Sequence, residues 1–316
     1  MSVTVIICSF NNESTIIETL ESVKIQKYKP LNLIISDDCS SDATNNLVHK
    51  WVIRNKKSFE SVKHLISKKN KGTCRNFYYA LNQTNSTYIK PLGADDLLKE
   101  GSLEKSIRLL TSNFSDVLVS TVNSIDNKGN KLRNYLNQGY FLLAILLKLP
   151  RSLLLYLCLY QNIFPHSTVI AKKNVFKECI DLNFDLVEDH PLWINIILSK
   201  FRIIFSSKST IFYRSHNNQL TKTINKEILR RTEEDRKKFL KNYFFKISNQ
   251  AEKYKILKYK FIDRFFQKVF SSLSYFDSHQ NISIIFHSLR IFTFLYSPFW
   301  RYFIKKSISY ETILKK

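Results

Sequence analysis

The chain has 316 residues, 44% of them hydrophobic and 14% aromatic, enough for one large domain or two smaller ones with buried cores. Its 49 basic and 26 acidic residues leave a formal net charge of +23, which attracts phosphates in general: nucleic acid, anionic lipid head groups or phosphorylated small molecules. Lys, Asn, Ile, Phe and Tyr are abundant while Gly, Met and Trp are scarce, so part of that charge is the drift of an AT-rich coding sequence. The five cysteines form no CxxC pair, which excludes a disulfide framework or a zinc site and fits reduced thiols in a cytoplasmic protein.

The start, "MSVTVIICSF", lacks a basic n-region and a long apolar run; no signal peptide is expected, and residues 3–10 read as a buried strand. Residues 12–26 follow as a helix, with Ile16, Ile17, Leu20 and Val23 on one face and Ser14 or Asn12 as N-cap. Strand 31–38 ends in carboxylates. Helix 41–55, strand 62–69, helix 74–84, strand and turn 87–96, helix 102–112 and strand 116–126 continue the alternation. Such alternation predicts a mostly parallel, doubly wound sheet, in which ligands bind beyond the carboxyl ends of the strands. The polar clusters Ser9–Asn12, Asp37–Asp42 and Gly93–Asp96 all fall at those ends.

Beyond residue 140 the pattern changes. "YFLLAILLKLPRSLLLYLCLY" (140–160) is long enough to span a membrane, but Lys148, Pro150 and Arg151 sit near its middle. Each central charge costs about 2.5–3.5 kcal/mol on insertion, so a buried or interfacial helical hairpin is expected. Residues 282–300 carry His287 and Arg290 and are broken by Pro298, so they too make a poor span. Short strands are predicted at 167–171, 202–206 and 210–214. After about 222 everything reads as helical, charged and aromatic, with Ile262, Phe265, Phe266, Val269, Phe270 and Leu273 as one stripe.

Taken singly, Asp37-Asp38 suits a polar turn and Asp95-Asp96 an N-cap pair. Carboxylate-bearing turns on one edge of a parallel sheet instead call for a shared hard cation, Mg²⁺ or Mn²⁺, that bridges to substrate phosphates.

The runs "VTVIICSFNNESTIIETLESVKIQ", "LIISDDCSSDAT", "NKGTCRNFYYAL" and "YIKPLGADDLL" resemble, in order and spacing, the nucleotide-sugar-binding half of family 2 glycosyltransferases, which have the GT-A fold. Further on, "FDLVEDHPLWINIIL" (184–198) resembles the family's Glu-Asp motif, and "FYRSHNNQLT" (212–221) its Tyr-Arg-x-His motif. The resemblance implies a GT-A catalytic domain over 1–221, with 1–125 binding the nucleotide-sugar and 126–221 the acceptor, and a helical, basic-aromatic extension over 222–316.

Carried over by position, it implies that Cys8, Ser9, Phe10 and Asn11 border the nucleotide and that Asp38, with Asp37 beside it, reads the base edge. Arg75 matches a basic residue near the nucleotide, and Asn70 and Gly72 belong to the same turn. Asp96 matches the metal ligand of the Asp-x-Asp signature, and Asp95 lies nearer the ribose and donor sugar. Asp189 matches the general base, with Glu188 second. His216 matches a further metal or diphosphate contact, and Arg214 a phosphate contact. Three departures stand out: Gly93 occupies the signature's first acidic position, Cys8 and Phe10 stand where Thr or Pro and Tyr are usual, and Asn195 replaces a frequent Arg.

The implied activity is inverting, metal-dependent transfer of a hexosyl or N-acetylhexosaminyl group from a UDP-sugar to a lipid-linked O-antigen or capsule intermediate. The cofactor is Mn²⁺ or Mg²⁺. The basic-aromatic tail carries no nucleic-acid fingerprint, so peripheral contact with an anionic inner-membrane leaflet is expected, not nucleic acid. Two rivals are a non-catalytic basic binding protein and a nucleotidyltransferase. The latter requires a Gly- and Lys-rich loop after the first strand, and "CSFNNEST" has neither residue. Oligomeric state is not legible.

Overall fold

A computed structural model describes residues 1–132, 155, 158, 164, 166–184, 186, 189–215 and 226–244. The chain divides into two units at Phe244/Phe245, and the second lies wholly outside the described residues. Most of the expected hairpin at 140–160 lies outside them as well.

Eight strands form one sheet in the order β3-β2-β1-β4-β7-β6-β8-β5. β1 (Val3–Ser9), β2 (Leu31–Asp37), β3 (Ser61–Ile66) and β4 (Tyr88–Gly93) are mutually parallel. β7 (Val169–Lys172) runs antiparallel to β4 and to β6 (Val117–Ile125), which makes β6 point the same way as β1. β8 (Ile203–Arg214) is parallel to β6, and β5 (Leu97–Leu98) closes the edge antiparallel to β8. The expected pieces 202–206 and 210–214 are thus one strand. An irregularity opposite Ser120 and Val122 takes up the polar residues between them.

The helices are α1 (Ile16–Lys24), α2 (Thr44–Asn55), α3 (Thr73–Leu81), α4 (Ser102–Ser112), α5 (Lys173–Cys179), α6 (Asp189–Leu198) and α7 (Lys226–Phe239). The inner strands read as continuous apolar runs because they are covered on both faces. Val5, Ile6 and Ile7 of β1 and Leu33 and Ile35 of β2 are all fully buried. Ile16, Leu20 and Val23 of α1 pack into that core as the periodicity requires, while Ile17 is half-buried. The N-cap of α1 is Thr15, not Ser14 or Asn12. Asn12 instead accepts the Phe10 N–H with its side chain, and Thr15 donates its hydroxyl to the Ala94 carbonyl at 2.9 Å. The helix is therefore pinned to the β4–β5 turn.

Residues 226–244 belong to the first unit. Asp235 of α7 accepts the Leu186 N–H at 2.8 Å, Phe239 stacks on His190 at 4.1 Å, and the Tyr243 hydroxyl donates to Asp181 at 2.7 Å. Among the described residues no helix is long and apolar enough to cross a membrane.

His166, in the 3-10 turn before β7, lies edge-on to Phe77 at 5.0 Å, and its buried Nε2 has no hydrogen-bond partner among the described residues. Burial, reinforced by the Lys90 ammonium, pushes its pKa down to about 4. An unfolded histidine titrates near 6.5, so on acidification the unfolded chain takes up the proton first and stability falls. Between pH 6.5 and 4 the wild type should lose up to about 3 kcal/mol more than His166→Leu. Urea unfolding at several pH values measures the difference, and parallel curves would refute it.

Candidate active site

Successive crossovers carry the chain outward from β1 to β2 and β3, and then back to β4 on the other side of β1. This reversal opens a crevice beyond the C-terminal ends of β1 and β4, where Cys8 lies opposite Gly93. Loops from β2, β6 and β8 end at the same edge.

On the β2 side, the two aspartates do different work. Asp37 is completely buried and takes hydrogen bonds from Ser9 Oγ (3.0 Å), Ser40 N (2.8 Å) and Asn45 Nδ2 (2.9 Å). It locks the β1 and β2 loops together. Asn11, left-handed at φ 55, takes part in the same lock by accepting the Ser41 N–H at 2.9 Å. Asp38 accepts the N–H groups of Lys71 and Gly72, each at 2.8 Å, and Asn70 Oδ1 takes a second bond from Gly72 at 3.1 Å. Burial raises the Asp38 pKa, and those two N–H bonds oppose the shift. The structure thus brings Asp38, Asn70 and Gly72 together. Gly72 needs its lack of a β-carbon: its φ is 83, so the chain turns there into α3. Arg75, one turn into α3, donates to the Leu182 carbonyl at 3.2 Å. Phe10 is half-exposed at the rim, and Cys8 is partly buried.

On the β4 side stand Asp95 and Asp96. A β-carbon placed on Gly93 would lie 2.7 Å from Asp95 Oδ1 and 3.3 Å from Asp96 Oδ2. Oxygens from both carboxylates therefore flank one point above Gly93, and a side chain at 93 would fill it. Asp96 is 2% exposed and accepts the Arg214 N–H at 3.1 Å. Burial raises its pKa, the neighbouring Asp95 adds to the rise, and Ser167, Arg214 and Lys90 oppose it. Lys90, inside β4 and 2% exposed, donates to the carbonyls of Ser167 and Val169, and burial depresses its pKa.

Arg214, expected at a phosphate, is placed differently. Its side chain is 1% exposed and donates to the Asp95 carbonyl at 3.0 Å, the Asn127 carbonyl at 3.0 Å and Glu18 Oε2 at 2.5 Å. Its guanidinium is held among protein oxygens at the end of β8.

Asp189 is the first residue of α6 and half-buried. One turn on, Trp193 donates its indole N–H to the Phe164 carbonyl at 2.7 Å, and Ser167 Oγ accepts the Gly93 N–H at 3.3 Å. The stretch around 164–169 thereby ties α6 to the Asp95–Asp96 turn. Asn195, at the family's frequent Arg position, spans the Cys179 carbonyl and the Tyr243 hydroxyl. Glu188 and His216 lie outside the described residues. Sequence reasoning missed Lys90, Glu18 and Ser167. Only Lys90 carried a signal, as a charge inside an otherwise apolar buried strand.

A divalent cation is implied by the resemblance, and the donor chemistry fits one. Two hard carboxylate oxygens converge on a cradle that a β-carbon would fill. Among the described residues no group of three acidic, His or Cys side chains could cage a metal ion. The fit is thus to an ion that takes its remaining ligands from substrate and water, as Mg²⁺ and Mn²⁺ do.

Comparisons with known proteins bear on family and fold. A Haemophilus influenzae protein described as an uncharacterized glycosyltransferase is 24% identical over 71% of this chain and 69% of its own length. The Escherichia coli protein WfaP, a UDP-Glc:alpha-D-GlcNAc-diphosphoundecaprenol beta-1,3-glucosyltransferase, is 25% identical over 73% of this chain and 84% of its own. The fold matches Staphylococcus aureus TarS 1–349 in complex with UDP-GlcNAc, at TM-score 0.54 and 20% identity over 69% of this chain and 60% of that one. It also matches the Pyrobaculum calidifontis mannosyltransferase PcManGT in complex with GDP-Man and Mn²⁺, at TM-score 0.57 and 14% identity over 99% and 88%. The model of the family described as Glycosyl transferase family 2 matches residues 4–178, more than half of the 316. The chain belongs to glycosyl transferase family 2 and is a glycosyltransferase.

Proposed function

We propose that the protein moves a hexosyl or N-acetylhexosaminyl group from a UDP-sugar, with inversion, onto a lipid-linked glycan of surface-polysaccharide synthesis, of the O-antigen or capsule kind. The observation that carries this reading is the pair of carboxylate oxygens flanking Gly93 at the switch-point crevice, on the same edge as the Asp38 turn. The named substrates of WfaP, a nucleotide sugar and a diphosphoundecaprenol-linked acceptor, support the choice of donor and acceptor class.

In the reaction the acceptor oxygen bonds to the anomeric carbon as the bond to the nucleoside diphosphate breaks. The hydroxyl proton passes to a carboxylate within hydrogen-bond reach, which we assign to Asp189, with Glu188 as the second candidate. A single displacement of this kind inverts the anomeric centre. Asp95 and Asp96 would hold the divalent cation, which would supply Lewis-acid stabilisation of the departing diphosphate. Asp38 and the Asn70–Gly72 turn, with Ser9, Phe10 and Asn11 at the rim, bind the nucleoside, while Arg75 and Lys71 add positive charge nearby. Since Asp37 spends its oxygens on the loop lock, its part is to hold Asp38 in place.

Asp96→Asn and Asp189→Asn should each lower kcat/KM by about 10²–10⁴ without changing thermal unfolding by more than a few degrees. Chelation should abolish transfer, and added Mn²⁺ should restore it. Turnover of a UDP-sugar panel by both variants checks this, and unchanged rates would refute the assignment.

Gly93→Ala tests the cradle. Its β-carbon forces the Asp95 carboxylate aside, a cheap movement for a side-chain end, so the fold should persist while Mn²⁺ affinity falls about tenfold. Calorimetric titration in the presence of UDP measures it.

We place the enzyme at the cytoplasmic leaflet, held by its net charge of +23 and the basic-aromatic segment 222–316. The full chain should float with anionic liposomes at moderate salt and remain behind with neutral ones. Failure to float on either would remove the membrane contact.

A further inference from the structure

We infer that Arg214 is a positioning residue of the transfer reaction, a strut that sets the Asp95–Asp96 turn, and not a ligand of the donor phosphates. The inference rests on the reading of that pair as the seat of the cation.

The geometry sets out its reach. Its Nε donates to the Asp95 carbonyl at 3.0 Å, which belongs to the peptide joining Asp95 to Asp96, so that peptide plane is fixed. Its main-chain N–H holds Asp96 Oδ1 at 3.1 Å, which leaves Oδ2 as the oxygen beside Gly93. Nη1 reaches the carbonyls of Asp126 (3.3 Å) and Asn127 (3.0 Å), just beyond the end of β6. Nη2 reaches Glu18 on α1 at 2.5 Å. One residue thus joins four segments around the carboxylate pair, using the rigid, forked donors that a lysine lacks.

Burial and pairing oppose a phosphate role. The side chain is 1% exposed, and its charge is already met by Glu18. A phosphate could reach the guanidinium only by displacing carbonyls that shape the turn. Substituting groups that orient metal ligands typically costs 10–100-fold in metal affinity.

The test uses the full chain. Mn²⁺ binding is followed by electron paramagnetic resonance at saturating UDP, and UDP binding is measured again without metal. Arg214→Lys should weaken Mn²⁺ binding about 10–100-fold, and Glu18→Gln should weaken it by a smaller factor, while metal-free UDP affinity stays within about twofold of wild type. Asp96→Asn is the control for the site itself. If Arg214→Lys weakens UDP equally with and without Mn²⁺, Arg214 is a phosphate ligand and the inference falls. If both variants keep wild-type Mn²⁺ affinity while Asp96→Asn loses it, Arg214 is only a structural brace. If Asp96→Asn keeps its affinity, or the wild type binds no Mn²⁺, the cation seat fails and takes this inference with it. Should Arg214→Lys not fold, Glu18→Gln decides alone, because Glu18 is 60% exposed and its loss leaves the core intact. Unchanged Mn²⁺ affinity in that variant would then overturn the inference.

Discussion

Three charged side chains, Lys90, Asp96 and Arg214, are buried on one edge of the sheet, and the surrounding structure is built to satisfy them. Removing an ion from water costs several kcal/mol unless other groups replace the lost hydration. Here the replacements are mostly backbone. Lys90 is solvated by two carbonyls at the entry to β7, Arg214 by three carbonyls and one carboxylate, and Asp96 by the Arg214 N–H. The antiparallel insertion of β7 between β4 and β6 is what brings the Ser167 and Val169 carbonyls to Lys90. A doubly wound sheet without that reversal would present strand interiors there, with their carbonyls already paired.

The same edge separates rigid from ligand-facing groups. Asp37 and Asp38 are adjacent, yet one is locked to the end of β1, the β2 loop and the start of α2, and the other faces the turn into α3. Asp95 and Asp96 divide in a similar way. Asp96 is anchored through one oxygen to β8, and Asp95 is anchored through its carbonyl. A carboxylate oxygen from each is thereby directed at Gly93, Asp96 through the Arg214 main-chain N–H and Asp95 through the Arg214 guanidinium on its carbonyl. Repulsion within the pair is unfavourable for an empty site and favourable for one that takes a cation and a diphosphate. Gly93, which looked in the sequence like a missing carboxylate, keeps that position open.

The helical segment after β8 is part of the same construction. Asp235, Phe239 and Tyr243 pack on Leu186, His190, Asp181 and Asn195, around the start and middle of α6. The residue at the head of that helix, Asp189, is thus supported from two sides, by the stretch around Phe164 and by α7.

Much of this was legible in the sequence. Apolar runs broken by amphipathic helices specify strand–helix alternation by local pattern alone, and the polar clusters fell at the strand ends as that topology requires. Acidic pairs at those ends carried the chemistry. Local pattern could not supply the order β4-β7-β6-β8, the merging of two short strands into β8, or the burial of Arg214, because each depends on contacts between residues about 50 to 200 positions apart. Arg214 reads in sequence as one more cation in a chain of net charge +23. Only the tertiary structure, by bringing Glu18, Asp95 and Asn127 around it, decided that this charge faces inward and shapes the turn.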